Sequence, residues 1–334
     1  MAEDDDEAGP ADAFAPYVAT LGRGPGRSRA LTRAEARDAF GQILRGTVDP
    51  YQVGAFLMLL RFRGENPDEI AGIVEALQDS LPPAPPADLD WPSYGAGRTR
   101  DVPWFLLAAL ALADSGVRVL MHGSNAFGSG VPVADALAAL GRAPAHNMDA
   151  AATQLDATGF AYLPIETLSP GTARLLGLRR LFGLRSPVNT AARLLDPARA
   201  AAGVDGVFHP PYIDVHLGVA GLLARPRLLV LKGGGGEAER VPAKPALAHL
   251  WTLAGGRQEL TLPAVAGLPA AEPADLALLS AVWRGTAHPP RALATVHATL
   301  ALGLLALGQS TGPDAAADRA ALIWRARCHD TSSA

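Results

Sequence analysis

Leu81–Pro92 (LPPAPPADLDWP) carries five prolines in twelve residues, and no helix can run through it. Each proline removes a backbone donor and pushes the residue before it out of the helical region. The segment therefore reads as a hinge or linker, and the sequence has a different character on either side of it. Before it lie three helix patterns with clear punctuation. Thr32 and Glu35 form a capping-box pair ahead of Ala36, Phe40, Ile43 and Leu44. Asp49-Pro50 opens a second helix carrying Val53, Phe56, Leu57 and Leu60 and stopping at Gly64, and Asn66-Pro67 opens a third with Ile70, Ile73, Val74 and Leu77.

After the linker the pattern alternates. Val102–Ala113 and Val133–Leu140 read as helices, whereas Arg118–His122, Phe160–Ile165 and Leu228–Gly234 read as short buried strands. Helices around Leu276–Trp283, Arg291–Leu307 and Ala315–Arg327 close the chain. Such alternation implies an α/β fold with a central, mostly parallel sheet covered by helices. With 334 residues, one large or two unequal domains can form a substantial core. The expected division is an acidic disordered tail over 1–24, a helical domain over 25–81 and an α/β domain over 91–334.

The tail is expected because Glu3, Asp4, Asp5, Asp6 and Glu7 meet no basic residue before Pro10. Setting those five acids aside leaves 29 basic against 28 acidic residues, so the net charge of -4 does not describe the folded body. A case for an anionic partner must then rest on where charge clusters. Arg174, Arg179, Arg180, Arg185, Arg193 and Arg199 share a stretch whose only acid is Asp196. With Arg98 and Arg100 they are candidates for a phosphate-binding groove, the alternative being a solvated helix face in an arginine-rich composition.

Tyr94 is a candidate stacking surface for unpaired bases, whereas Trp104 in its apolar run reads as core. Lys232 leads into four consecutive glycines, Gly233–Gly236, a candidate anion nest. His122-Gly123 follows a strand, where the histidine either approaches a ligand or is satisfied by backbone. Cys328 is the only cysteine, which excludes an internal disulfide and a thiolate zinc site. The acidic N-terminus and short apolar runs point to a cytoplasmic protein with no membrane partner.

The helix trio, with Ala55-Phe56-Leu57, Gly64-Glu65 and Glu69-Ile70, resembles the helical domain of glycosyltransferase family 3, which includes anthranilate phosphoribosyltransferases. The resemblance continues through His122-Gly123, Ala134-Asp135, Gly159-Phe160-Ala161, Arg179, Gly183-Leu184-Arg185, Asn189, His209-Pro210 and Lys232-Gly233. It implies the fold of the class II phosphoribosyltransferases, with helices from about 170–198 returning to the first domain, and a homodimer packed through the first helices, for which Phe56, Leu57 and Leu60 offer surface.

The departures from the enzyme pattern bear on function. Where the enzymes place Gly-Thr-Gly-Gly-Asp-Gly, this chain has Ser93-Tyr94-Gly95-Ala96-Gly97-Arg98. The Asn-x-Ser-Thr slot reads Pro103-Trp104-Phe105-Leu106, and the lysine of Lys-His-Gly-Asn is Met121. The magnesium motif Asp-Gly-Leu-Asp-Glu becomes Gly235-Gly236-Glu237-Ala238-Glu239, leaving Glu237 and Glu239 as the candidate metal ligands. No cofactor is otherwise indicated, and Mg²⁺ belongs only to an enzymatic reading.

Residues 91–108 and 232–237 are similar to the YbiB-type DNA-binding subfamily of this fold. That similarity implies a protein with a degraded phosphoribosyl-pyrophosphate site that binds nucleic acid in a basic interdomain groove. The competing readings are pentosyl or phosphoribosyl transfer to a nitrogenous aromatic acceptor, using Gly95, Gly97, His122, Arg179 and Glu239, and a dimeric scaffold with an empty cleft.

Overall fold

The computed structural model describes residues 10–24, 26–95, 102–124, 130–271 and 273–327. The chain separates into two compact units. One comprises Met1–Leu81 with Ser169–Leu195, and the other Pro82–Leu168 with Asp196–Ala334.

The first unit opens with α1 (Pro10–Gly22), α2 (Arg33–Arg45), α3 (Pro50–Arg63) and α4 (Pro67–Asp79). Capping fixes three of them. The Thr32 and Asn66 side chains each accept an N3 backbone N–H while Glu35 and Glu69 return the bond to the cap residue's N–H. The Asp49 carboxylate accepts the Tyr51 N–H ahead of α3. Helix α2 stops at Gly46 in the left-handed region, φ 74°.

Helix α1 corrects the expectation of a disordered tail reaching residue 24. Phe14, Tyr17, Val18 and Leu21 recur at helical spacing, and Phe14 and Leu21 are buried. Phe14 packs edge-on against Phe56 with ring centroids 5.4 Å apart. Pro16 inside the helix hides the pattern from a sequence reading. Phe56, Leu57 and Leu60, expected to offer an intermolecular face, are instead the buried interior of this unit, at most 1% exposed.

The second unit follows with β1 (Leu89–Ser93), α5 (Trp104–Asp114), β2 (Val119–Gly123), α6 (Val133–Ala139), α7 (Met148–Thr158), β3 (Phe160–Pro164) and α8 (Ile165–Leu168). The chain then re-enters the first unit for α9 (Pro170–Gly177), α10 (Arg179–Phe182) and α11 (Val188–Arg193). It completes the second with β4 (Ala202–Val207), α12 (Tyr212–Leu222), β5 (Arg227–Lys232), β6 (Ala246–Thr252), β7 (Gly256–Leu262), α13 (Leu276–Arg284), α14 (Pro290–Ala306) and α15 (Pro313–Ala326).

The seven strands form one sheet in the order β3-β2-β1-β4-β5-β6-β7. The first five are parallel and the β6–β7 hairpin is antiparallel. The linker segment thus ends inside the sheet, because Leu89–Ser93 is a buried strand. Pro92 is tolerated there for a geometric reason. The Leu89 N–H donates to Arg118 O and Ser93 O accepts the Ser124 N–H, both toward β2, so by alternation the N–H that Pro92 lacks would face β4. The β1–β4 ladder has already ended at Asp90 and Gly203, so no bond is lost. Ten of the eleven residues of α5 are buried, and α14 packs so closely on it that a Cβ on Gly303 would lie 2.5 Å from Leu112 Cδ1. No helix among the described residues is long and apolar enough to cross a membrane.

Candidate functional site

The ends of β1, β2 and β5 and the start of α5 bring the candidate phosphate residues of the second unit together. Gly233 and Gly206 let the loop after β5 fold back on the sheet, since a Cβ at either would lie 1.6 or 2.0 Å from the Glu237 main chain. Gly235 and Gly236 take φ of 60° and 80° to complete the reversal. The fold sends Glu237 inward, fully buried, and its carboxylate accepts the Gly95 N–H. Two residues on, the Glu239 carboxylate accepts the Phe105 N–H at 2.9 Å. Phe105 lies in the first turn of α5, whose cap residue Pro103 supplies no side-chain hydrogen bond.

These two contacts change the meaning of the glycine loop. Expected as an open anion nest, it engages the amides of Gly233, Gly234, Gly236 and Glu237 within the chain. Gly233 donates to Val207 O, Gly234 to Glu239 O, Gly236 to Gly233 O and Glu237 to Gly234 O. Lys232 is exposed at its edge. The backbone donors at Gly95 and at the start of α5, suited to an anion, face carboxylates of the same chain. Beside Glu239, a cavity of about 310 Å³ is walled by Trp104, Pro242, Pro269 and Leu278. Two arginines border it, but Arg240 donates to the carbonyls of Lys244 and Pro263, and Arg291 to that of Pro269. Burial pushes the Arg240 guanidinium below its ordinary range.

His122 and Gly123 do not reach a ligand surface. His122 is fully buried on β2, and its Nδ1 shares a hydrogen bond of 2.9 Å with the hydroxyl of Tyr94, itself 4% exposed. Tyr94 is therefore no exposed stacking platform. A Cβ on Gly123 would lie 1.7 Å from Ser93 O, so this glycine serves the β1–β2 approach. Behind His122, its Nε2 lies 3.3 Å from Asp90 Oδ1, and Asp90 Oδ2 accepts from Arg225 at 3.0 Å.

Among the described residues a metal at Glu237 and Glu239 would find two carboxylates, and Glu237 Oε2 is buried without a hydrogen-bond partner. Both carboxylates cap backbone N–H groups, and among the described residues no group of three His, Cys, Asp or Glu could hold a metal ion. Gly97, Arg98 and Arg100 lie outside the described residues.

The arginine cluster divides. Arg174 and Arg180 are exposed on α9 and α10, Arg179 and Arg185 are half-buried, and Arg199 is exposed on the second unit. Arg193, expected in the groove, is 5% exposed and belongs to the interior of α11. Asp196 contributes no charge to the surface, being buried against Arg225 at 3.0 Å.

The helical-bundle domain of a glycosyl transferase family matches residues 15–81, and the a/b domain of that family matches residues 102–311. The chain belongs to glycosyl transferase family 3. Among its relatives, an anthranilate phosphoribosyltransferase of Methylobacterium nodulans is 32% identical over 87% of this chain and 88% of its own length. Anthranilate phosphoribosyltransferase 2 of Streptomyces coelicolor is 32% identical over 82% and 85%. The same fold is seen in the Thermus thermophilus anthranilate phosphoribosyltransferase, with TM-score 0.74, 22% identity and 95% of each chain covered. It recurs in the Saccharomyces cerevisiae enzyme in complex with PRPP and Mg, with TM-score 0.70, 17% identity and 93% and 96% covered.

A family 3 fold explains why the chain leaves the first unit after α4 and returns for α9–α11. A sequence reading placed Glu237 and Glu239 at a metal and did not foresee their bonds to Gly95 and Phe105. One signal was present: α5 begins at Pro103-Trp104, with no side chain able to cap it.

Proposed function

We propose that this family 3 member does not use phosphoribosyl pyrophosphate in the manner of its enzymatic relatives and instead binds single-stranded nucleic acid through exposed arginines. One observation carries the first half. Glu237 and Glu239 hold the Gly95 and Phe105 N–H groups, so an incoming pyrophosphate would meet two carboxylates in place of two donors. Carboxylates beside an anion cost it binding energy. The second half is supported by Arg174 and Arg180, exposed in a stretch whose one acid is buried elsewhere, and by the resemblance of Trp91-Pro92, Tyr94–Arg100 and Pro103–Ala108 in sequence to the YbiB-type subfamily. Arginine–phosphate pairs give affinity without reading bases, so binding should be sequence-tolerant and steeply salt-dependent.

The competing reading, transfer to a nitrogenous aromatic acceptor, is favoured by the 32% identity to named anthranilate phosphoribosyltransferases. The two separate in one set of assays on the purified full chain. Fluorescence anisotropy with a labelled oligonucleotide across a salt series tests the first, and pyrophosphate release from PRPP with Mg²⁺ and aromatic amines tests the second. Binding with no release supports the proposal. Release above a no-protein control, with salt-independent or absent oligonucleotide binding, overturns it.

A second copy of the chain is the proposed cover for an apolar face on the first unit. Tyr51 and Phe62 of α3 are 89% and 90% exposed, and Leu181 and Leu184 at α10 are 81% and 57% exposed. Helices α3 and α10 adjoin, since a Cβ on Gly54 would lie 3.8 Å from the Phe182 ring. Such a patch on a lone chain is unusual. Light scattering should give a dimer mass for the parent and a monomer for Phe62→Glu; a parent that is monomeric at micromolar concentration removes this partner.

A further inference from the structure

One face of the sheet in the second unit carries a buried polar layer that the proposed function does not use. Side chains alternate across a strand, and paired residues of parallel strands point to the same side. The register pairs Pro92 with His122 and Asp90 with Gly203, so Asp90, His122 and Asp205 project from one face. Arg225, on the turn after α12, reaches into this layer over Gly203, where a Cβ would lie 2.8 Å from its Nη2. That nitrogen donates to Asp90 Oδ2 and to Asp196 Oδ2, each at 3.0 Å. His216 of α12 bonds Asp205 at 2.8 Å through Nδ1. Tyr94, Asp90, His122, Asp196, Asp205, His216 and Arg225 are all at most 5% exposed.

A charge inventory shows what such a layer must contain. Three carboxylates face one guanidinium, so with both histidines neutral the buried cluster carries two uncompensated negative charges. Burying net charge is costly enough that such groups take up protons. Asp90 and Asp196 meet on one nitrogen of Arg225, an arrangement in which like charges favour one shared proton. Unpartnered atoms mark the same strain: among the described residues Asp90 Oδ1, His122 Nε2, Asp205 Oδ1 and the Nε and Nη1 of Arg225 lack hydrogen-bond partners.

We propose that Asp196, Asp90 and Arg225 form a buried proton-storage site that tightens as the pH falls, anchoring the chain where it re-enters the α/β unit. Asp196 is the first residue of that re-entry, and its second carboxylate oxygen accepts the Ala200 N–H at 3.0 Å, which holds the turn leading into β4. The other end of the layer is Tyr94, one residue from Gly95. There the Tyr94 hydroxyl and His122 Nδ1 share a hydrogen bond whose direction is set by the imidazole tautomer.

The groups acting on Asp196 agree with this direction. Burial pushes its carboxyl up to about 6, with Arg225 opposing, Asp90 adding repulsion, and Ala200 N–H and His122 opposing. Asp205, backed by His216, acts through Arg225. A carboxyl raised from its unfolded value contributes stability that is fully present below the unfolded pKa and is lost as pH rises through the folded one.

The test is calorimetric unfolding of the full chain at pH 5, repeated in buffers of different ionisation enthalpy, which counts protons released on unfolding. The parent should release about one proton more than Asp196→Asn. Its melting temperature should also rise relative to the variant between pH 7.5 and 5 by on the order of 2–4 °C. Should Asp196→Asn fail to fold, Asp90→Asn, which removes a charge that raises the Asp196 carboxyl, should lower the proton count in the same direction. Tyr94→Phe, which deletes the hydroxyl bonded to His122 Nδ1, should retain the parent's count. Equal proton release by the parent and a folded Asn variant overturns the proposal, whatever their relative stabilities.

Discussion

The Glu239 carboxylate caps the Phe105 N–H at 2.9 Å, tying the loop after β5 to the first turn of α5 across 134 positions of sequence. An acidic group at a helix N-terminus satisfies an orphan donor and complements the helix dipole. In this chain a position that resembles a metal ligand therefore does a capping residue's work.

Glu239→Ala should lower unfolding stability by about 1 kcal/mol, the cost of losing a side-chain cap. Glu239→Gln keeps an acceptor and should cost less. Urea denaturation of the three proteins checks the order, and an Ala variant as stable as the parent would show that the bond contributes nothing.

Gly123 separates packing from ligand contact. With Ser93 O 1.7 Å from the Cβ position, Gly123→Ala must push β1 and β2 apart. The expected loss is about 1–3 kcal/mol, seen in thermal melts without any ligand. A variant that melts like its parent yet loses oligonucleotide binding would return Gly123 to the binding surface.

The fold was largely legible because its signals were local. Thr32–Glu35, Asp49-Pro50 and Asn66-Pro67 announce α2, α3 and α4, and apolar runs announce β2, β3 and β5. Elements lacking such marks were missed. Strand β4 (AGVDGV) holds two glycines and a buried aspartate, each disfavoured in strands, and is specified by the room Gly203 leaves Arg225 and Gly206 leaves the Glu237 loop. Helix α12 opens without a side-chain cap, and the β6–β7 hairpin, closed locally between Thr252 and Gly256, lacks a strict apolar–polar alternation. The site failed as β4 did: Glu237 with Gly95 is a contact across 142 positions, and no spacing rule reaches that far.

Acid should act on the second unit through His297 in the direction opposite to Asp196. Burial lowers the His297 pKa, with Arg327 and Arg325 adding repulsion. The folded value lies below the unfolded one, so its contribution is present above pH about 6.5 and lost as pH falls through the lowered value. His297→Gln should therefore flatten the fall in melting temperature between pH 7 and 5. A variant whose melting curve tracks the parent's across that interval would show that His297 does not carry the acid sensitivity.

The arginine surface gives the most direct test of the nucleic-acid proposal. Arg174 and Arg180 are exposed, whereas Arg193 is buried, so they should behave differently on substitution. Arg174→Ala combined with Arg180→Ala should leave the fold intact, since exposed side chains change stability by about 0.5 kcal/mol or less. Each lost phosphate contact to single-stranded nucleic acid reduces the slope of log affinity against log salt by about 0.7, so the double variant should be shallower by about 1.4. The weakening should be equal for different sequences, because phosphate contacts carry no base information. Arg193→Ala should instead act through stability, lowering the melting temperature while the folded fraction keeps the parent's slope. If the folded double variant binds with the parent's affinity and slope, these arginines are a solvated helix face, and nucleic-acid binding would have to be sought elsewhere on the chain.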